Sequence, residues 1–222
     1  GTPNTVDDVT IANVTIDAGA STQYALTISG SSAAYKSTGW RVTGCVITGG
    51  IKVVWADDVF VASNTITLPD AKALRVYRTS SRITIARNTI YQTNAALSYP
   101  SAIFVVGTGT DSAPADVLIT GNSIFCNAPS SLGIRLEGIL SASVVDNVLV
   151  GADSAFASAS GVYVRTTNIS QPIALVTILG NSIIGFGQRG VDIRGNLTAT
   201  ITKLRIIGNA IGENSPPQTI GV

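Results

Sequence analysis

A single short pattern recurs along the chain and limits the folds that the chain can adopt. It reads φ-x-φ-x-x-N-x-φ, where φ is an apolar residue, and it fits residues 59–66, 83–90, 117–124, 176–183 and 204–211. Residues 142–149 give a looser copy, while 9–16 and 40–47 keep the frame and replace the amide. The residues in the amide position are Val14, Cys45, Asn64, Asn88, Asn122, Asn147, Asn181 and Asn209.

A second pattern, a small residue followed by φ-x-φ, lies between the copies of the first. It occurs at residues 25–28, 50–53, 73–76, 102–105, 133–136, 161–164 and 190–193. The two patterns alternate strictly, and successive amide positions are 19 to 34 residues apart. Repeats of this length with short strands and no helical segment predict a β-solenoid with three strands in each coil. The differences in repeat length then fall in the turns between strands.

The recurring asparagines are predicted to form a ladder inside the solenoid. Equivalent residues of successive coils lie about 4.8 Å apart, so each side-chain amide can hydrogen-bond to the amides above and below it. A lone buried amide is costly, whereas a stacked column satisfies its own donors and acceptors. Asparagine is also expected to supply the unusual backbone of a sharp corner. The predicted structural ladder contains Asn64, Asn88, Asn122, Asn147, Asn181 and Asn209.

Composition and charge narrow the range of functions. Charged residues make up 12% of the chain and the net charge is +1, so the overall charge gives no reason to expect a nucleic-acid partner. No apolar run of about 18 residues is present, and no membrane insertion is expected. The chain has no histidine, which excludes Ser-His-Asp and Cys-His catalysis. Cys45 and Cys126 have no metal-site spacing, and we predict small buried residues there, with no metal and no cofactor.

Stretches such as GVDIRG (190–195) and VTILGNSI (176–183) resemble the right-handed parallel β-helix of the pectin-lyase-like superfamily, and the resemblance covers nearly the whole chain. It implies an all-β fold, a single-stranded right-handed parallel β-helix of about 7–8 coils with an internal asparagine ladder. It implies little about function, because this fold carries lyases, hydrolases, epimerases, adhesins and phage tailspikes. We predict one β-helix domain over residues 1–222 within a longer chain, since neither terminal segment has the pattern of a capping helix.

Members of this superfamily commonly bind glycans along the sheet that corresponds to the small-φ-x-φ strands. Alternation predicts one outward column of Thr27, Lys52, Arg75, Phe104, Arg135, Tyr163 and Asp192, and a second of Ser29, Val54, Tyr77, Val106, Glu137, Arg165 and Arg194. Aromatic rings suit the faces of sugars, and guanidinium groups suit carboxylates and hydroxyls. The expected ligand is a carbohydrate polymer, bound by Lys52, Arg75, Tyr77, Arg135, Tyr163, Arg165 and Arg194.

Two acidic residues of this face, Glu137 and Asp192, are the candidate catalytic residues. They lie two coils apart, about 10 Å along the axis, near the wide end of the range for inverting glycosidases. A lyase route would instead use an arginine or lysine of the same face as its base. The alternative is a salt ladder, in which Glu137 pairs with Arg165 one coil further on and Asp192 pairs with nearby arginines. Polygalacturonases and alginate epimerases of this fold use a histidine, which this chain lacks.

Three functions remain open from the sequence. A phage tailspike or tail-fibre segment would recognise, and in some cases degrade, a bacterial surface polysaccharide, as a homotrimer or with flanking domains over its ends. A secreted polysaccharide lyase or glycoside hydrolase is the first alternative, and a structural shaft or adhesin without a ligand is the second. We expect the first, on a virion surface or otherwise outside the cell, since no known catalytic signature is present.

Overall fold

A computed structural model describes residues 6–19, 24–69, 73–93, 100–107, 113–127, 130–152, 159–166, 172–187, 189–195, 200–212 and 219–221. Within these ranges the chain forms short β-strands joined by turns and contains no helix. A helix long and apolar enough to cross a membrane is accordingly not found among them. Most of the terminal residues on which the expectation of a longer chain depends lie outside the described ranges.

The described strands form three sheets in which coil follows coil. The first sheet leads into the amide position and contains Thr10–Ala12, Arg41–Thr43, Ala56–Ala62, Ser81–Ala86, Ala115–Thr120, Ser141–Val145, Leu175–Leu179 and Leu204–Ile207, with Ser37–Thr38 as an additional short strand. The second sheet follows the amide position and contains Thr15–Asp17, Val46–Thr48, Thr65–Leu68, Thr89–Gln92, Ser123–Cys126, Val148–Val150, Ser182–Ile184 and Ala210–Gly212. The third sheet carries the small-φ-x-φ strands, which are Leu26–Ser29, Ile51–Val54, Leu74–Tyr77, Ser101–Val106, Leu132–Glu137, Ser160–Arg165, Arg189–Arg194 and Thr219–Gly221.

Equivalent motif positions lie side by side in successive coils. Val59 pairs with Ile83 in the first sheet, and Ile83 in turn pairs with Val117. Ile90 of the second sheet pairs with its equivalents on both sides in the same way. The strand pairings in all three sheets are parallel among the described residues, and the chain winds as a right-handed parallel β-helix. The predicted fold class is therefore confirmed.

Small β-branched and aliphatic side chains fill the interior. Ile28, Ile47, Ile66 and their equivalents in the central coils are fully buried, because alternate residues of all three sheets point to one narrow core. Cys45 and Cys126 are free thiols within that core, as predicted, and burial raises the pKa of Cys126 to about 12. Neither thiol lies on a surface where it could serve a binding site.

The asparagine ladder is continuous from Asn64 to Asn209. The Oδ1 of Asn88 accepts both the backbone N–H and the side-chain Nδ2–H of Asn64, at 3.0 and 2.9 Å. The same pair of bonds recurs at every later step, and each Nδ2 also donates to a backbone carbonyl of an earlier coil at 2.9 Å. Each buried amide is thereby satisfied, and the structural role predicted for the six asparagines is confirmed.

The left-handed backbone of the corner lies one residue before the amide position. The residues there have φ between 53° and 67°, and they are Asn13, Gly44, Ser63, Arg87, Gly121, Asp146, Gly180 and Gly208. The ladder asparagines do not have positive φ, so the expectation that asparagine itself supplies the unusual corner conformation was wrong. Its function in the corner is hydrogen bonding inward, and the preceding residue makes the turn.

At two of these corners glycine also leaves room for a polar side chain of the preceding coil. A Cβ at Gly44 would collide with Oδ1 of Asn13, and a Cβ at Gly180 would collide with Oδ1 of Asp146. In each case a polar side chain of one coil lies over the corner of the next. Left-handed residues with short polar side chains and glycines therefore follow one another along this edge.

Candidate functional site

The outward face of the third sheet has the two columns that alternation predicts. Strand register places residues of the first column beside one another in the order Thr27, Lys52, Arg75, Phe104, Arg135, Tyr163 and Asp192. The second column is in register in the order Ser29, Val54, Tyr77, Val106, Glu137, Arg165 and Arg194. All of the predicted glycan-binding residues and both candidate acids are thus on one face, which we call the basic–aromatic face.

Phe104 lies between two arginines at the centre of this face. The guanidinium carbon of Arg75 is 5.1 Å from the ring centroid, and that of Arg135 is 4.5 Å from it. Because the three residues belong to consecutive coils, they stack along the axis of the helix. The Nε atoms of both arginines are buried without a hydrogen-bond partner. Contact with aromatic rings, worth about 0.5 to 2 kcal/mol for each pair, helps to hold both guanidinium groups in place.

Further ring contacts extend the stack in both directions. Arg75 also lies against Tyr77, at 4.8 Å from the ring centroid. Tyr163 lies between Arg135 and Arg194, at 6.0 and 5.3 Å from their guanidinium carbons. At the other end, Lys52 Nζ is 5.8 Å from the Tyr24 ring centroid. Cations and rings therefore alternate along most of the face, and Arg165 is exposed beside them.

Trp55 and Arg78 belong to the same surface, although the sequence analysis did not select them. The guanidinium carbon of Arg78 is 4.3 Å from the Trp55 ring centroid and 5.2 Å from that of Tyr77. Both residues have positive φ, at 46° and 61°, a conformation that is rare for large side chains. Each directly follows the last residue of its strand, where alternation no longer predicts direction. Their strained backbone marks this edge as a candidate part of the site.

Glu137 is buried beside the stack and pairs with an arginine of its own strand. Its Oε1 is 2.8 Å from Nη2 of Arg135, and the residue is 6% exposed. This distance makes the two groups an ion pair. The N–H of Arg135 is not directed at Oε1, however, so no hydrogen bond forms, and no other donor reaches Oε1 of Glu137. The expected pair of Glu137 with Arg165 was therefore wrong, since the guanidinium two residues earlier on the same strand reaches the carboxylate first.

Asp192 is enclosed by two arginines of its own strand. Its Oδ2 lies 2.9 Å from Nη1 of Arg189 and 2.9 Å from Nη2 of Arg194, and the residue is 1% exposed. Pairing of Asp192 with nearby arginines is confirmed, although the bonds run along the strand. Two strand spacings and two residues along the strand separate Asp192 from Glu137. Their part in catalysis stays a prediction.

The first sheet presents a different surface. Arg82 donates to both carboxylate oxygens of Asp58, at 2.7 and 2.9 Å, and this bond holds the pKa of Asp58 below its ordinary value. A shallow depression of about 320 Å³ lies further along, lined by Asp116, Val117, Leu118, Ser141, Ala142, Ser143 and Leu175. It contains neither a cation nor an aromatic ring, so the basic–aromatic face remains the stronger candidate for binding a sugar polymer.

A metal centre is not indicated. In the described ranges, histidine, cysteine and acidic side chains do not come together in groups of three or more that could hold an ion.

Comparisons with protein-family models, with curated proteins and with solved structures gave no match.

Proposed function

We propose that this chain recognises a bacterial surface polysaccharide through the basic–aromatic face, in the manner of a phage tailspike or tail fibre. The observation that carries the proposal is the stack of Arg75, Phe104 and Arg135, in which guanidinium groups without Nε partners alternate with a ring in strict register. A flat, rigid sheet places these groups at fixed intervals, so little conformational entropy is lost on binding. Rings supply apolar surface to sugars, and guanidinium groups supply hydrogen bonds to their polar groups.

The test is binding of purified capsule, lipopolysaccharide and pectic polymers, measured by calorimetry. Arg135→Ala and Tyr163→Ala are each expected to weaken binding about tenfold or more, since each removes a charged or ring contact from the centre of the face. Arg205→Ala is the matched control, because Arg205 is an exposed arginine of the outward column of the first sheet. If no polysaccharide binds, the chain is better described as a structural shaft, and if a polysaccharide binds equally well to all three variants, the basic–aromatic face is not its binding site.

A hydrolase or lyase is the second candidate, and the environment of Glu137 is what favours it. A buried carboxylate oxygen without a hydrogen-bond donor, beside a sugar-binding surface, is typical of a functional group. Incubation with the same polymers, followed by assay of reducing ends and unsaturated uronates, tests for cleavage. Glu137→Gln is expected to lower a cleavage rate about 100-fold or more if Glu137 transfers the proton. An equal loss in Asp192→Asn would indicate an acid pair.

Assembly as a homotrimer forms part of the proposal and has support on the second sheet. Tyr91, Phe125, Val150 and Ile184 lie side by side on four consecutive coils, and the rings of Tyr91 and Phe125 stack with centroids 5.2 Å apart. Their outward position exposes an apolar stripe that a neighbouring chain would cover. Chain mass in solution tests this: a trimer that dissociates in Phe125→Glu supports it, and a monomer favours a secreted enzyme.

A further inference from the structure

The basic–aromatic face is uneven in charge along its length. Its first four strands, Leu26–Ser29, Ile51–Val54, Leu74–Tyr77 and Ser101–Val106, contain no acidic residue. In the later coils, by contrast, Glu137 is paired with Arg135, and Asp192 is paired with Arg189 and Arg194. At its N-terminal end the face therefore carries positive charge that no acidic residue of its own strands offsets.

Lys52 and Arg75 are the clearest case of this excess. They are register neighbours in one column, so their backbones are one strand spacing apart, about 4.8 Å. Like charges placed side by side on one face of a sheet destabilise it. Neither has an ion-pair partner among the described residues, and the contacts found for their charged groups are with the rings of Tyr24, Tyr77 and Phe104. An anion bound between them would remove the repulsion.

We propose that Lys52 and Arg75 bind a phosphate group carried by the polysaccharide. The proposal rests on the function proposed above and specifies the chemistry of its ligand. Elsewhere on this face a single carboxylate balances only one cation: Glu137 pairs with Arg135, and the one charge of Asp192 lies between Arg189 and Arg194 and leaves that group with a net positive charge. A phosphate monoester carries about −1.5 to −2 charges at pH 7 and three acceptor oxygens, so it can neutralise two adjacent cations. The forked donors of Arg75 suit two of those oxygens, and the ammonium of Lys52 suits the third.

A phosphorylated glycan fits this site better than a nucleic acid does. A nucleic acid carries a phosphate at every nucleotide, and the net charge of +1 on the chain provides no long-range attraction for so densely charged a polymer. The rings of Tyr77 and Phe104 lie beside the two cations and offer apolar surface to the sugar that carries the phosphate. A single-stranded oligonucleotide is included among the probes to test this preference.

The test compares four compounds by calorimetry at constant ionic strength: glucose 6-phosphate, glucuronate, glucose and a short oligonucleotide. Each shares the sugar ring, the negative charge or both with the proposed ligand. Glucose 6-phosphate is expected to bind most tightly. Because the second pKa of a phosphate ester is about 6, its affinity should rise between about pH 5 and pH 7, whereas that of glucuronate should stay constant. Arg75→Gln and the more conservative Lys52→Gln should each weaken the binding of glucose 6-phosphate about tenfold, and Arg205→Gln should leave it unchanged.

Several outcomes would overturn the phosphate site. They are equal binding of glucuronate, a flat pH profile for glucose 6-phosphate, an equal effect of Arg205→Gln, and tighter binding of the oligonucleotide at the same phosphate concentration. If Arg75→Gln does not fold, Lys52→Gln alone decides. A polysaccharide that binds while glucose 6-phosphate does not would leave the proposed function standing and remove only the phosphate site. If glucose 6-phosphate binds and no polysaccharide does, the phosphate site stands and the proposed function is wrong.

Discussion

The backbone N–H of Cys45 donates to Oδ1 of Asn64 at 2.9 Å, so the ladder begins one coil before its first asparagine. The thiol of Cys45 lies where the later coils place an amide Nδ2. Its Sγ is 3.7 Å from the carbonyl oxygen of Ile11 and 3.3 Å from that of Thr43, the positions to which the amides of later coils donate. A weak donor therefore takes the place of a strong one at this step.

Cys45→Asn is expected to stabilise the protein. The new amide would add hydrogen bonds to Asn64 and Ile11 where the thiol makes weak ones, and a net gain of about 1 kcal/mol is typical of one such bond. The midpoint of thermal unfolding should rise by about 2 to 4 °C for a chain of this size. Cys45→Ala is the control and should lower it, since it removes the thiol and leaves a cavity. A midpoint for Cys45→Asn at or below that of the unchanged protein would contradict the equivalence of thiol and amide.

Asn122→Ala is expected to be strongly destabilising. The substitution leaves two N–H groups of Asn88 without their acceptor in the core, at about 1 to 3 kcal/mol for each orphaned group, and removes one donor from the carbonyl of Ile85. Asn209→Ala is the matched variant at the end of the ladder, where the side chain is only half-buried and water can replace lost bonds. Unfolding in urea should show a loss at least about twice as large for Asn122→Ala. Equal losses would mean that burial does not determine how much each asparagine contributes to the free energy of unfolding.

Gly180→Ala and Gly208→Ala separate backbone strain from steric collision. Both glycines have left-handed φ, at 67° and 63°, so each substitution should cost about 1 to 2 kcal/mol. A Cβ at Gly208 meets nothing within 4 Å, whereas one at Gly180 collides with Asp146. Gly180→Ala is expected to cost more in chemical unfolding. Adding Asp146→Gly, which removes the side chain and tolerates the left-handed φ of 53° at that position, should bring it back to the value for Gly208→Ala. The double variant fails this test if it is no more stable than Gly180→Ala.

The pair of Asp58 with Arg82 predicts a pH dependence on the first sheet. The hydrogen bond from Arg82 lowers the pKa of Asp58 in the folded protein, so the carboxylate contributes stability that is complete above the unfolded value, about 3.9. That contribution is lost as pH falls through the folded pKa. Because the pair is exposed, Arg82→Gln should cost less than about 1 kcal/mol at pH 7, and progressively less as pH falls below about 3.9. Thermal unfolding across this range, with Arg205→Gln as control, measures it, and a difference that does not shrink as pH falls would contradict this origin.

Periodicity made the fold and the outward columns predictable from the sequence. A two-residue alternation determines which side of a sheet a side chain takes, and equal spacing around the amide position determines which residues become neighbours. Arg75, Phe104 and Arg135 could therefore be placed in one column before any contact was known.

Alternation could not predict which neighbouring residue an outward side chain contacts. Alternation does not determine whether Glu137 turns toward Arg165 or toward Arg135, because both lie within reach of the carboxylate. Nor does it extend past the end of a strand, which is why Trp55 and Arg78 were missed. The left-handed residue before each amide was misplaced because asparagine, serine, glycine and arginine all occupy it, so its sequence signal is weak.

The ladder bonds and the sheet bonds all join one coil to the next, in the direction of the long axis. Pushing on the two ends presses each coil against its neighbours, whereas pulling on the chain termini peels the end coils first, because each of them is bonded to a neighbour on one side only. The molecule is therefore expected to bear compression as a stiff strut and to unravel winding by winding under tension.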